Sequence, residues 1–251
     1  MHESADGCKL KRFFVDDRFA GPGILRPVDG EGLAGMRQLL YRIAKTVFGI
    51  FISSVGYYLC IPANVGLSPW PAFSMGLSYA TGLSYGDVTI LVSVLIVALD
   101  CLLGEKIGFA TVLDALLTGK FIDLFLRMEL VPMCDGFLSG IAVLLIGQVF
   151  VSVGIYFYIG PGLGAGPRDS LMVALGKRFP AVPIGAVRAL LEGTVLAIGW
   201  LLGAKIGVGT VISVFGIGFI LQLTLKLLRF DVTAVRHEGL FESVRRARAS
   251  A

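Results

Sequence analysis

Six apolar runs, at residues 39–61, 86–104, 107–126, 137–160, 184–203 and 206–228, decide most of what this chain can become. At about 1.5 Å of rise per helical residue, each is long enough to cross most of a ~30 Å hydrocarbon layer. Composition agrees, with 55% of the 251 residues hydrophobic and 16% charged, where a soluble domain carries about 25% charged residues. The expectation is an all-α membrane protein with several crossings.

The runs also repeat. Residues 86–127 lie over 185–226 at an offset of 99 without a gap, so that "LLGEKIGFATV" (102–112) covers "LLGAKIGVGTV" (201–211). Gly86/Gly185, Val88/Val187, Gly119/Gly218, Leu124/Leu223 and Leu126/Leu225 agree in the same register. Upstream, at an offset of 98, Ser54-Val55-Gly56 matches Ser152-Val153-Gly154, and Gly66 and Pro69 match Gly164 and Pro167. Shared Leu or Val means little in lipid-facing sequence, but shared Gly, Lys, Thr and Pro in one register point to duplication. Each copy reads as a long helix, a Gly/Pro-rich break, a short helix and two long helices joined by a tight turn. The short helices, 69–82 and 167–179, open on proline, whose missing N–H costs nothing there. At about 20 Å they are too short to cross alone and read as re-entrant or surface-lying.

The expected architecture is therefore six transmembrane helices plus two short broken helices, arranged as two inverted-topology repeats at residues 37–131 and 132–230. Three crossings per copy is an odd number, so the second copy enters the membrane upside down, a transporter habit. Basic residues fit this topology with both termini inside. The inner side receives the N-terminal tail, Arg42, Lys45, Lys106, Arg168, Lys177, Arg178 and Arg229, while the outer side keeps Arg127 and Lys205. Eight crossings, with both short helices spanning, is the alternative.

Residues 1–36 carry charge without the apolar core of a signal peptide and read as a disordered cytoplasmic tail, with Met36 an alternative start. Residues 231–251 form a basic tail in which 232–248 can make an amphipathic helix on an anionic inner leaflet; no nucleic-acid motif accompanies those charges. Cys8, Cys60, Cys101 and Cys134 have no metal-ligand spacing, though Cys60 and Cys134 could both lie near the outer surface and pair. The two histidines, His2 and His237, lie in the tails, which removes His-ligated zinc and His-based acid–base chemistry from the membrane core. Neither a cofactor nor a metal is expected.

Around "GLGAGPRDSLMVALG" and its copy "GLSPWPAFSMGLS", and in "KIGFATVLDALLTGKFIDLFL" (106–126), the chain resembles the YczE/YyaS/YitT group of bacterial multi-pass membrane proteins over roughly residues 37–230. The resemblance implies a small integral membrane protein whose molecular role is largely unassigned. The group's first copy commonly reads Pro-Trp-Asp, where this chain has Pro69-Trp70-Pro71, so no carboxylate role carries over there. Asp169 is retained, and Asp123 stands where the group often has an acid.

Ionisable side chains at membrane depth need a reason. Asp114, Lys120 and Asp123 lie in one run, Arg188 and Glu192 in another. Arg188 with Glu192, and Lys120 with Asp123, have the spacing of helical ion pairs. Asp114 lacks such a charged partner and is the better candidate for proton or cation coupling, or for pairing with Arg188. Gly162, Gly164 and Gly166 let backbone N–H groups converge at a helix N-terminus beside Arg168, which suits a carboxylate, phosphate or sulfate. The competing reading is a turn in which Arg168 and Asp169 cap the helix. Tyr57, Tyr58, Tyr156 and Tyr158 read as interfacial anchors, and Gly49, Gly56, Gly147 and Gly154 as close-packing positions.

The leading functional expectation is a secondary transporter or permease for a small solute, an anion among the candidates. Its binding residues would be Gly164, Gly166, Arg168, Asp169 and Trp70, with Asp114, Asp123, Arg188 and Glu192 along the pathway. The alternative is a non-transporting scaffold or accessory protein for an enzyme or biosynthetic complex. An enzyme is not expected, since no nucleophile–base constellation is visible.

Overall fold

The computed structural model describes residues 32–182, 184–230, 235 and 237–249; most of the proposed N-terminal tail, with His2 and Cys8, lies outside them. Eight helices follow the hydropathy pattern: α1 (Gly32–Leu59), α2 (Pro69–Thr81), α3 (Tyr85–Leu102), α4 (Phe109–Met128), α5 (Phe137–Ile159), α6 (Pro167–Arg178), α7 (Ile184–Leu201) and α8 (Val208–Leu227). A ninth, α9 (Leu240–Ala249), follows in the basic tail. Four of them, within α1, α3, α5 and α8, are long and apolar enough to cross a membrane. The 20-residue α4 is interrupted by Asp114, Lys120, Asp123 and Arg127.

Local chemistry sets the breaks. Pro69 and Pro167 open α2 and α6 as first-turn prolines. Gly82, at φ 71°, ends α2 by turning its N–H back to the Ser78 carbonyl. The Ser84 hydroxyl caps α3 by accepting from Asp87 N–H. At the starts of α4 and α8, the Thr111 and Thr210 hydroxyls accept the Gly108 and Gly207 N–H groups at 3.3 and 3.2 Å.

Hydrogen bonds between loops define the two ends of the bundle. At one end, Arg42 donates to the Pro161 carbonyl at 2.9 Å and pairs with Glu238 at 3.2 Å. There too, Glu238 N–H donates to Gly162 and Leu240 N–H to Ile107, at 2.9 and 2.8 Å. At the other end, Leu67 N–H donates to the Lys205 carbonyl at 3.1 Å and Cys134 N–H to Pro62 at 2.8 Å. The long helices α1, α3, α4, α5, α7 and α8 run between these ends, and α5 runs opposite to its sequence match α1.

Contacts cross between the two matched segments. Val65, in the first break, accepts Gly209 N–H from α8 at 2.8 Å; Leu163, in the second, accepts Ala110 N–H from α4 at 3.0 Å. Likewise α2 packs on α7 while α6 packs on α3, and α1 lies against α5 as the central pair. Gly49, Gly56, Gly147 and Gly154 face the opposite helix so closely that a Cβ at any of them would meet its backbone, which bears out their packing role.

One pair departs from this correspondence. α3 packs closely on α4, whereas α7 and α8 barely touch. A Cβ at Gly86 would collide with the Gly119 carbonyl oxygen, and one at Gly119 with that of Gly86. At the matched Gly185 and Gly218 there is open space instead.

Candidate functional site

Both breaks lead toward the interior. Gly66 and Gly164, matched in sequence, adopt φ 116° and φ 120°, a region favourable to glycine alone. They turn the chain so that α2 and α6 start beneath opposite ends of the bundle. Arg168, in the first turn of α6, reaches across to α2, where its guanidinium carbon lies 5.0 Å from the Trp70 ring centre. That is a cation–π distance. Among the described residues Arg168 has no hydrogen-bond or ion-pair partner; the ring is its only contact of this kind. Ser68 supplies no side-chain cap to α2, Gly166 has no side chain with which to cap α6, and Asp169 stands in the first turn of α6.

Around Arg168 stand three tyrosines and two acids. Asp114, half-buried on α4, accepts the Thr118 hydroxyl at 2.7 Å, so its partner is a neutral group one turn along rather than Arg188. Tyr57 and Tyr85 lie within the fields of both Arg168 and an aspartate. Tyr158 is 7% exposed and its hydroxyl finds no hydrogen-bond partner. Asp169 is exposed and feels Arg188, Arg168 and Glu192. Arg188 itself pairs with Glu192 at 2.9 Å, as the spacing predicted.

Three sequence expectations change. Asp123, expected along the pathway, is engaged in holding helices together: its carboxylate accepts Gly86 N–H at 2.7 Å and the Ser84 hydroxyl, fastening α4 to the start of α3. Lys120 pairs not with Asp123 but with Asp87 at 2.7 Å, because α3 supplies a nearer acid than its own helix does. Tyr58 and Tyr158 are interior groups, 3% and 7% exposed, rather than interfacial anchors; the Tyr58 hydroxyl accepts Val131 N–H. Tyr156, edge-on to Phe157 and Phe230 with Lys45 over its ring, keeps the environment of a helix end.

The structure also adds residues. Asp100, in the last turn of α3, is fully buried with neither oxygen partnered. It is an acid inside an apolar run, the same signal that singled out Asp114. His237, expected to lie out of the way in a tail, hydrogen-bonds the Gly164 backbone and sits within the field of Asp169. Cys60, Cys101 and Cys134 are free thiols, although the backbone of Cys134 bonds to that of Pro62.

The segment around α9 closes over this end. Lys106 pairs with Glu242, and Gly239 N–H donates to the same carboxylate. Together they hold the Glu242 carboxyl below the ordinary glutamate range, the Lys106 hydrogen bond contributing most. A depressed carboxyl value makes the contact fully effective above pH ~4.3 and lost as pH falls through the lower folded value. The protection factors of amides 239–243, exchange being corrected for its intrinsic pH dependence, are expected to fall below pH ~4 and to stay level from pH ~5 to ~8. Unchanged protection in Glu242→Gln at neutral pH would mean that this exposed pair does not hold the segment.

These features define a helical membrane protein with a charged, aromatic-lined interior where two broken segments meet. The chain belongs to the family of unknown function DUF6198, which it matches over residues 40–226. It is 34% identical over 204 residues to the uncharacterized membrane protein YczE of Bacillus subtilis, covering 78% of this chain and 93% of that one. An uncharacterized protein of Haemophilus influenzae is 30% identical over 186 residues, 74% of this chain and 84% of its own. The uncharacterized protein YyaS of Bacillus subtilis is 29% identical over 209 residues, 81% of this chain and all of its own. No solved structure matches.

Proposed function

We propose that this protein is a secondary transporter or permease for a small anionic solute, built from two copies of one helical unit inserted in opposite senses. The observation that carries this is Arg168: an interior guanidinium without a carboxylate, stacked on Trp70 between the first turns of two broken helices. Five N–H donors in a fixed fork, beside the positive end of α6, suit a carboxylate, phosphate or sulfate. A scaffold would be better served by charges that cancel, as Arg188 with Glu192 and Lys120 with Asp87 do; Arg168 stays unmatched.

All six long helices cross the bilayer in this proposal, with both termini and the 160–166 break on the cytoplasmic side of the cell membrane, following the basic residues. The second copy then repeats the first upside down, in keeping with the crossed contacts of the breaks. Transport requires two arrangements of such copies. Here the Gly86–Gly119 seam of α3 and α4 is shut, and its counterpart Gly185–Gly218 between α7 and α8 stands open toward the cytoplasmic side. The other state exchanges them, shutting α7 on α8 and parting α3 from α4.

Thermal unfolding of the detergent-purified protein against sulfate, phosphate and acetate, with chloride as reference, tests the site. At least one oxyanion is expected to stabilise the wild type, and Arg168→Ala should weaken that response about tenfold or more in apparent affinity, the range of a charge-assisted hydrogen bond. Equal responses in the variant, or none in the wild type, would set the anion site aside.

A further inference from the structure

The anion site leaves a charge unaccounted for beside it. In front of Gly166 is a point, where a Cβ would stand, that lies 2.8 Å from Tyr158 Oη, 3.6 Å from Asp114 Oδ2 and 3.8 Å from Asp169 Oδ2. Three oxygens from three helices thus surround one small volume. Tyr158 is 7% exposed and its Oη has no hydrogen-bond partner, so a buried hydroxyl is aimed into that volume unsatisfied. A buried hydroxyl left unpaired destabilises the fold unless a ligand satisfies it. Thr118 satisfies only Oδ1 of Asp114. Among the described residues neither aspartate forms an ion pair, since Arg188 turns to Glu192 and Arg168 lies over Trp70.

We infer that Asp114, Asp169 and Tyr158 bind a monovalent cation at Gly166. Two carboxylates without an ion-pair partner leave negative charge at this volume, which a monocation there offsets. All three donor atoms are oxygens, the hard ligands that alkali cations and ammonium groups prefer. A multivalent metal has no support here, for no group of three or more His, Cys, Asp or Glu gathers among the described residues. Glycine at 166 keeps the volume free; any side chain would press on Tyr158 Oη.

The cation has two sources: a free alkali ion, or the protonated amine of a zwitterionic solute whose acidic end lies on Arg168. The second source rests on the proposed function, and the first does not.

The test is thermal unfolding of the full-length protein in detergent, at fixed pH and ionic strength, with choline chloride replaced by sodium chloride or by methylammonium chloride. Either cation near a hundred times its Kd is expected to raise Tm by about 5–10 °C over choline. Asp114→Asn and Asp169→Asn should abolish the rise, and Tyr158→Phe, which breaks no bond within the protein, should reduce it. Arg168→Ala should keep it, so that loss of the oxyanion response alone would count against the anion site and not against this one. A response to sodium assigns a free ion; a response to methylammonium alone assigns the amine of a solute. No difference among the three salts in the wild type would mean that a proton on an aspartate does the balancing and would overturn the proposal. A rise retained in both Tyr158→Phe and Asp169→Asn would overturn it as well.

Discussion

Leucine in place of Gly86 or Gly119 is expected to destabilise the protein by about 3 kcal/mol or more, whereas leucine at Gly185 or Gly218 should leave Tm nearly unchanged. The difference is geometric. At the first pair the new Cβ meets carbonyl oxygen of the facing helix, which cannot move without parting α3 from α4. Interfaces in lipid depend on such close approach because the hydrophobic effect does not favour helix–helix contact over helix–lipid contact. At the second pair nothing stands within 4 Å of the added atom. Thermal unfolding of the four variants decides this, and comparable losses at both pairs would mean that α7 and α8 are closed in the resting protein. The same positions test alternation. Gly185→Cys with Gly218→Cys should form a disulfide on oxidation only as α7 and α8 close, and faster when an oxyanion shifts the balance of states. No disulfide under any condition would count against the proposed exchange of seams.

Asp123→Ala is the second large effect, expected to cost about 2 kcal/mol or more. The substitution strands Gly86 N–H and the Ser84 hydroxyl at the start of α3, both of which now donate to the Asp123 carboxylate. Hydrogen bonds to charged acceptors contribute about 1.5–3 kcal/mol each in water-soluble folds, and cycles within membranes average nearer ~0.6; two lost together, plus an unpaired N–H, fall between those bounds. Gln222→Ala, at the matched position, should be silent, because Gln222 is exposed beside the open seam. Thermal unfolding separates the two. If Asp123→Ala kept full stability and lost the oxyanion response instead, the pathway role read from the sequence would be restored and the fastening role dropped.

That role of Asp123 marks where sequence reasoning stopped. An acid at membrane depth was legible as exceptional; its partner was not. Within a helix, spacing identifies candidate pairs, and Arg188 with Glu192 followed the rule. Lys120 broke it, because Asp87 on the packed neighbour α3 was available and spacing along one chain carries no information about a neighbouring helix. Tyr158 departs from expectation for a related reason. A tyrosine near the end of an apolar run ordinarily meets headgroups, but here the chain turns inward at Gly160–Gly166 and buries that end. Asp100 meets the same criterion as Asp114, an acid inside an apolar run.

Local signals in the chain specify the membrane class, the positions of eight helices (every boundary within two residues except the start of α1, which lies seven residues earlier), the proline-opened breaks and the family resemblance. Each of these rests on hydropathy, turn chemistry or motif, which act over a few neighbouring residues or are read by direct alignment. Packing across the bundle sets the rest: α2 packs on α7 and α6 on α3, Arg168 lies over Trp70, and one glycine seam is shut while its copy is open. Those outcomes are set by contacts between residues far apart in the chain, and two halves with matching local signals can satisfy them in different ways.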